Sequence, residues 1–347
     1  MKTYYSNLKD GLTGLIRTRN EGALLEACID SCINALDELI VVYFDCTDNT
    51  LEVLNKKKAQ YPSKLKVFEY NHNVLSFDLT REEFECAMAL PDDSPRLYCN
   101  MCNFALSRSS YKYVMKIDAD QIYFEDEIRK WRDVCSGNLQ IKWNLSLALG
   151  WFFMMYFTLY RRLSAQFGKP CLWMLPDCFV KPMFKSYQKY SMWRLKRGTA
   201  CVSFSGINVF KDDKWYALFT NPPYNGEGDH VIFRRSDDTY YVKRYSDKIP
   251  YSVTDNFNNP YKVMYARPAW FHLNANRVQS WNKVKKMKDE QPECFVPIKD
   301  FNKMSYKEVY DKVIKKARTY TLYQMILFVL PHKAGKSSLE KNIKMLK

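Results

Sequence analysis

The sequence predicts an α/β fold on a mostly parallel, Rossmann-like sheet. Three observations carry this. Short apolar runs of strand length alternate with segments of helical spacing over the first third of the chain, the pattern of βαβ units. Each apolar run ends in a polar cluster, where open α/β sheets keep their ligand sites. At 347 residues and 47% hydrophobic, the chain can bury a large core as one elaborated domain or two.

In order, Leu12-Thr-Gly-Leu-Ile16 is a first strand that runs into the polar stretch Arg17-Thr-Arg19-Asn20-Glu21. Gly22 to Leu36 is helical, with Leu25, Ile29, Cys32 and Ile33 on one face. Glu38 to Phe44 is a second strand, closed by Asp45-Cys-Thr-Asp48-Asn-Thr50, which caps a helix from Leu51 to Gln60. Leu65 to Tyr70 is a third strand. Asn71 to Pro95 has no clear period and is expected to be a site loop. Arg96 to Arg108 is helical. Val114 to Ile117 then reads as the end of a buried strand, with a helix behind it from Glu125 to Cys135.

The next segment differs in kind. Leu145 to Tyr160 carries no charged residue, and the stretch from Arg161 to Arg197 is basic with one acid, Asp177. Regular structure resumes at Ala200 to Phe210, followed by a hairpin at Lys211-Asp-Asp213 and a run from Lys214 to Phe219. A Gly-rich acidic turn, Asn225-Gly-Glu227-Gly228-Asp229-His230, precedes Val231. Ala269-Trp-Phe-His272 ends another apolar run, and the chain from Met304 onward reads as helices.

Composition narrows the function. The formal charge of +15 calls for an anionic partner, and nucleotide, nucleic acid and acidic lipid all qualify. Eleven cysteines, an odd number at irregular spacing, with no visible N-terminal signal peptide, indicate reduced thiols in the cytoplasm. Cys99-Asn-Met-Cys102 lacks a second pair and is expected to pack in a helix. Gly335-Lys336-Ser337 resembles the end of a phosphate-binding loop, but Leu330 stands where the first glycine belongs.

The chemistry centres on Asp118-Ala-Asp120. A strand ending at Ile117 delivers both acids to the ligand edge of the sheet, and two carboxylates that close together ask for a cation between them. Mg²⁺ or Mn²⁺, held by one or two carboxylates and by substrate phosphates, is the usual answer. The first two strand ends carry polar groups able to hold a nucleoside. The later 227–230 turn supplies carboxylates able to act as a base.

Together these residues resemble the GT-A nucleotide-sugar glycosyltransferases of the family-2-like branch, most nearly the bacterial β-1,4-N-acetylgalactosaminyltransferases of lipooligosaccharide synthesis. The likeness rests on Arg17-Thr-Arg-Asn-Glu21, Asp45-Cys-Thr-Asp48, Lys116-Ile-Asp-Ala-Asp120 and Gly228-Asp229-His230, and it covers roughly residues 12–60, 110–125 and 200–232. It departs at Gln140 to Thr199, which reads as an insertion. The resemblance implies a GT-A fold, a UDP-sugar donor and an inverting displacement onto a glycan or glycolipid acceptor. It implies Mn²⁺ or Mg²⁺ on Asp118 and Asp120, with His272 a late metal or diphosphate ligand. Arg17, Arg19, Asn20, Glu21, Asp45, Asp48, Lys116 and Asp118 would line the nucleotide sugar. Asp229 would be the base, with Glu227 the runner-up. Asp45 and Asp48 also have an ordinary role as helix caps.

Four segments are expected: 1–136 as the nucleotide-sugar half, 137–199 as the hydrophobic and basic insertion, 200–275 as the acceptor half and 276–347 as a helical tail. The insertion is expected to dock on an anionic membrane surface without crossing it, with Trp151, Phe152 and Phe153 entering the acyl boundary, the alternative being a helix buried in the core. Its uncharged run falls short of the roughly 20 residues a spanning helix needs. This places the enzyme in the cytoplasm, peripherally on the inner face of the membrane. Two other classes compete. A sugar nucleotidyltransferase would also use paired acids, but needs a Gly-rich basic loop that Gly11 and Gly14 do not make. A non-catalytic basic protein binding nucleic acid or membrane would explain the charge; nucleic acid suits it less, because the densest basic cluster adjoins the most apolar run.

Overall fold

The computed structural model describes residues 8–167, 177–219, 224–225, 231–305, 308–309, 312 and 339–346. In chain order the elements are β1 (Lys9–Thr18), α1 (Gly22–Cys32), β2 (Glu38–Tyr43), α2 (Thr50–Gln60), β3 (Leu65–Glu69), α3 (Arg81–Ala89), α4 (Tyr98–Ser107), β4 (Tyr111–Ile117), β5 (Gln121–Tyr123) and α5 (Glu125–Cys135). There follow α6 (Leu145–Phe167), α7 (Asp177–Lys196), β6 (Ala200–Lys211), β7 (Trp215–Leu218), β8 (Tyr224–Asn225), β9 (Ile232–Arg234), β10 (Tyr240–Ser246), β11 (Ser252–Asn258) and β12 (Lys262–His272). Last come α8 (Val278–Glu290), β13 (Phe295–Pro297) and α9 (Ile298–Lys303).

One mixed sheet organises the chain, in the order β13-β7-β6-β9-β4-β1-β2-β3, with β12 on β6 and β5 on β12. Its first half is the predicted α/β unit: β1 pairs parallel with β2 and β4, and β2 pairs parallel with β3. Both faces of these strands are covered. Leu12, Ile16, Leu39 and Val41 pack under α1 and α5, while Leu15, Ile40, Val42 and Val114 pack under α4. That two-sided burial is why these strands read as continuous apolar runs. The second half is joined through β9, antiparallel to both β4 and β6, and β6 pairs parallel with β12. β4, β6 and β12 therefore all run toward the same edge.

Three elements were not expected, and one of them, the strand β13, lies within the 276–347 stretch expected to be a helical tail and pairs with β7. The expected loop from Asn71 to Pro95 contains α3. Its capping box was there to be read: Glu83 N donates to Thr80 Oγ1 at 3.2 Å, and Thr80 N donates to Glu83 Oε2 at 2.8 Å. The β10–β11 hairpin is too polar for its period to stand out. It is held by α4, where the Asn103 amide pairs with the Tyr241 backbone at 2.8 and 2.9 Å. β1 also runs on to Thr18, so Arg17 sits in a strand and not in the loop after it.

The insertion forms a helical pair. α6 packs Leu147, Phe153 and Met154 against Phe184, Tyr187 and Tyr190 of α7. This corrects one expectation: Phe153 is 7% exposed and belongs to this core, whereas Trp151 and Phe152 face outward. The cause is helical geometry, which puts Phe153 about 100° around from its neighbour. Among the described residues no helix is long and apolar enough to cross a membrane. Most of the tail expected to be helical from Met304 onward, including Gly335 to Ser337, lies outside the described residues.

Candidate active site

β4 ends at Ile117, and a tight turn carries the chain back into β5. Side chains fix that turn. Asp118 N donates to Tyr123 Oη at 3.1 Å, the Tyr123 hydroxyl donates to Gln121 Oε1 at 2.6 Å, and Gln121 Nε2 donates to Asp118 Oδ2 at 3.3 Å. The two acids consequently diverge. The Asp118 side chain is 43% exposed, whereas that of Asp120 is 9% exposed and turned inward.

Asp120 meets residues from the far end of the chain. β5 pairs antiparallel with β12, placing His272 opposite Gln121, and β12 pairs with β6, placing His272 beside Asn208. His272 Nδ1 lies 2.8 Å from Asn208 Oδ1, and His272 Nε2 lies 3.2 Å from Asp120 Oδ2. With Asn208 Oδ1 accepting from Nδ1–H, Nε2 of the neutral ring turns its lone pair toward the Asp120 carboxylate. Two lone pairs at that distance repel unless a proton or a cation lies between them. The separation is also close to the ~3 Å edge of an octahedral site with metal–ligand bonds of about 2.1 Å. Among the described residues no three His, Cys, Asp or Glu side chains gather into a metal cluster. The protein thus offers one adjoining pair of donors, Asp120 and His272, which fits a divalent ion completed by substrate oxygens, while Asp118 points outward from the same turn.

Arg277, just before α8, is the present cation at this point. Its Nη2 lies 3.2 Å from Asp120 Oδ2 and also ion-pairs with Glu21 Oε1. Burial pushes the Asp120 carboxyl up, but its contact with His272 and the Arg277 charge bring it below the ordinary value. Glu21 goes the other way. Burial, helped by the nearby Asp120 charge, raises it to about 7 against the pull of Arg277.

The second group surrounds Arg17, whose side chain is 4% exposed. Its Nη2 lies 3.9 Å from Asp118 Oδ1, its Nη1 lies 3.7 Å from Asp255 Oδ2 and donates to Cys102 Sγ at 3.4 Å, and its Cζ stands 5.5 Å over the Tyr241 ring. Lys116 Nζ is 4.0 Å from Asp118 Oδ1. The C-x-x-C pair packs as expected: Cys99 and Cys102 are free and buried.

The first two strand ends are laced together by their polar residues. Asn20 Oδ1 accepts from Thr47 N at 2.7 Å, and Asn20 and Asp45 both take positive φ, of 54° and 44°. Asp48 Oδ2 accepts from Gly22 N at 3.0 Å and its Oδ1 from Thr50 N at 2.9 Å. Burial opposes charge on Asp48, and these bonds, chiefly those from Thr50, hold it below the ordinary value. Gly22 permits the close approach, since a Cβ there would lie 2.0 Å from Asn49 Oδ1. Arg19 is exposed, with Cζ 5.9 Å over the Phe44 ring.

Arg17, Lys116 and Asp118 are thus brought together, as are Glu21, Asp120 and His272. Glu227, Asp229 and His230 lie outside the described residues; Val231, next in the chain, accepts at its carbonyl from Lys116 N at 2.8 Å. Arg277, Asn208, Asp255 and Tyr241 were missed. No spacing marks them, because strand register and the approach of α8 bring them to the site.

Residues 6–161 match the family model described as Beta-1,4-N-acetylgalactosaminyltransferase (CgtA). This is the resemblance read from the sequence, found again over the first half of the sheet. No curated protein matches the chain. Similar solved structures include the mannosyltransferase PcManGT from Pyrobaculum calidifontis in complex with GDP-Man and Mn²⁺, at 20% identity over 38% of this chain and 31% of that one, with a TM-score of 0.25. Glucosyl-3-phosphoglycerate synthase from Mycobacterium tuberculosis, in complex with Mn²⁺, UDP and phosphoglyceric acid, is 20% identical over 35% of this chain and 36% of that one, at 0.21. S. aureus TarS 1-349 in complex with UDP is 20% identical over 34% and 32%, at 0.20. The chain spans about a third of the length of these proteins.

Proposed function

We propose that the chain is a metal-dependent, inverting glycosyltransferase of the hexosyltransferase class. It moves a hexose or N-acetylhexosamine from a UDP-sugar to a lipid-linked or surface glycan, on the cytoplasmic face of a membrane. One observation carries the reading: Asp120 and His272, which are 152 positions apart in the chain, face each other at 3.2 Å on the ligand edge of the sheet. The family match over residues 6–161 supports the donor class.

On this reading Asp118, Asp120 and His272 hold Mn²⁺ or Mg²⁺, which when bound neutralises the diphosphate of the donor. Arg17 and Lys116 hold Asp118 in place from behind and leave its outer face for the donor. Asn20, Asp45 and Asp48 shape the nucleoside cradle, and Asp48 does so by tying the two loops through backbone bonds. Arg19 is exposed at the rim of that cradle. Arg277, which pairs with Asp120, would be free to face the diphosphate once a cation took its place there. Glu21 holds Arg277 within reach. Asp229, with Glu227 second, takes the proton from the acceptor hydroxyl.

A panel of UDP-sugars tests the proposal. One donor should release UDP slowly without acceptor, in Mn²⁺ and not in excess EDTA, and the product should carry the inverted anomer by NMR. Full activity in EDTA would sink the metal site, and a retained anomer would sink the single displacement.

A further inference from the structure

Among the described residues, exposed large apolar side chains concentrate on α6. Leu145, Leu149, Trp151, Phe152 and Met155 are all exposed, Phe152 at 58%, while Leu147, Phe153 and Met154 fill the core shared with α7. At 100° per residue the exposed five span an arc of roughly 160°, and the opposite arc is the packed one. A helix apolar on both faces, with one face covered, has an unused surface larger than solubility favours.

The rim of this surface says what covers it. Trp143 and Trp193 pack at 5.3 Å between ring centroids, and Arg197 Cζ stands 4.9 Å over the Trp193 ring. Lys142, Lys185, Lys189 and Arg197 are exposed. From Gln140 to Thr199 the sequence holds ten Lys and Arg against the single acid Asp177. Apolar side chains flanked by amphipathic indoles and by cations match the layers of an anionic bilayer: acyl chains, then interface, then headgroup phosphates. A second copy of the chain would bring the same positive rim against itself. The helical pair is also fixed to α5 and to β12. Gln188 Nε2 donates to Glu127 Oε1 at 2.6 Å, and Tyr265 N donates to Tyr187 Oη at 3.1 Å.

We propose that the outward arc of α6, framed by Trp143, Trp193 and Arg197, is a membrane-docking face for anionic lipid, and that α7 bolts it to the catalytic sheet in one orientation. Docking delivers the enzyme to a lipid-linked acceptor. This deepens the reading of the acceptor side, but lipid binding is measured without any sugar transfer, so it fails or stands apart from the donor chemistry.

The test is flotation with phosphatidylcholine vesicles, with and without about a third phosphatidylglycerol. Wild type should float with the anionic vesicles, less at high salt, and stay behind with the neutral ones. The triple variant Trp151→Ser, Phe152→Ser, Met155→Ser changes outward residues only. It should keep its circular dichroism and melting temperature and lose at least ~10-fold in vesicle partitioning. Lys185→Glu with Lys189→Glu should weaken binding to anionic vesicles and flatten its salt dependence. The idea is overturned if wild type ignores anionic vesicles or if the folded triple variant floats as well as wild type. It is equally overturned if light scattering finds a dimer that the triple variant dissociates while vesicles bind neither protein.

Discussion

Arg277→Met is the most informative single change. Arg277 Nη2 stands 3.2 Å from Asp120 Oδ2 and pairs with Glu21, and its side chain is 30% exposed. Unit charges about 3 Å apart at an effective dielectric of about 20 attract by roughly 5 kcal/mol. Partial exposure and the cost of dehydrating the guanidinium reduce the net value, so removing it should destabilise the metal-free protein by about 2–3 kcal/mol, below the 3–5 of a fully buried broken pair. The loss should shrink by up to ~1.4 kcal/mol in saturating Mn²⁺, because a bound cation takes over Asp120. Removing a competitor for that oxygen should also tighten Mn²⁺ binding by up to about tenfold. The transfer rate should nevertheless fall on the order of 10²-fold, since one stabiliser of the leaving diphosphate is gone. Urea unfolding with and without Mn²⁺, Mn²⁺ titration and kcat on the active donor read the three effects. Equal destabilisation with and without metal, together with unchanged Mn²⁺ affinity, would refute the exchange of cations at Asp120.

Three further outcomes are expected. Asp118→Asn and Asp120→Asn should each cost about 10²–10³ in kcat, and added Mn²⁺ should recover part of the first loss but little of the second, because Asp120 shares the inner position with His272. Asp229→Asn should abolish transfer with donor affinity nearly intact; an active Asp229→Asn beside a dead Glu227→Gln would move the base to Glu227. Glu21 holds its proton up to about 7 in the fold against an ordinary 4.5, so the folded state binds more protons between those values and wild type loses stability as pH rises through that window. Glu21→Gln should remove that slope, and a stability difference between the two proteins that stays flat from pH 4.5 to 7 would contradict it.

The parallel half of the sheet was legible because its physics is local. Strands such as Glu38–Tyr43 are covered on both faces and must be continuously apolar, and each polar cluster marks a strand end. Asp118 and Asp120 could be placed at the ligand edge for the same reason. The 16-residue uncharged run Leu145–Tyr160 showed a helix that does not span, but not which of its aromatics face out. That depends on where α7 packs, and it moved Phe153 inside while leaving Phe152 exposed. The rest of the site was decided only in three dimensions. His272 was a candidate from its strand end, but its contact with Asp120 exists because β5 turns back to pair antiparallel with β12. Asn208 orients that ring through the register of β6 on β12, and Arg277 arrives from a helix start with no motif of its own. Long-range strand pairing sets such contacts, and a chain read residue by residue records the strands but not their partners.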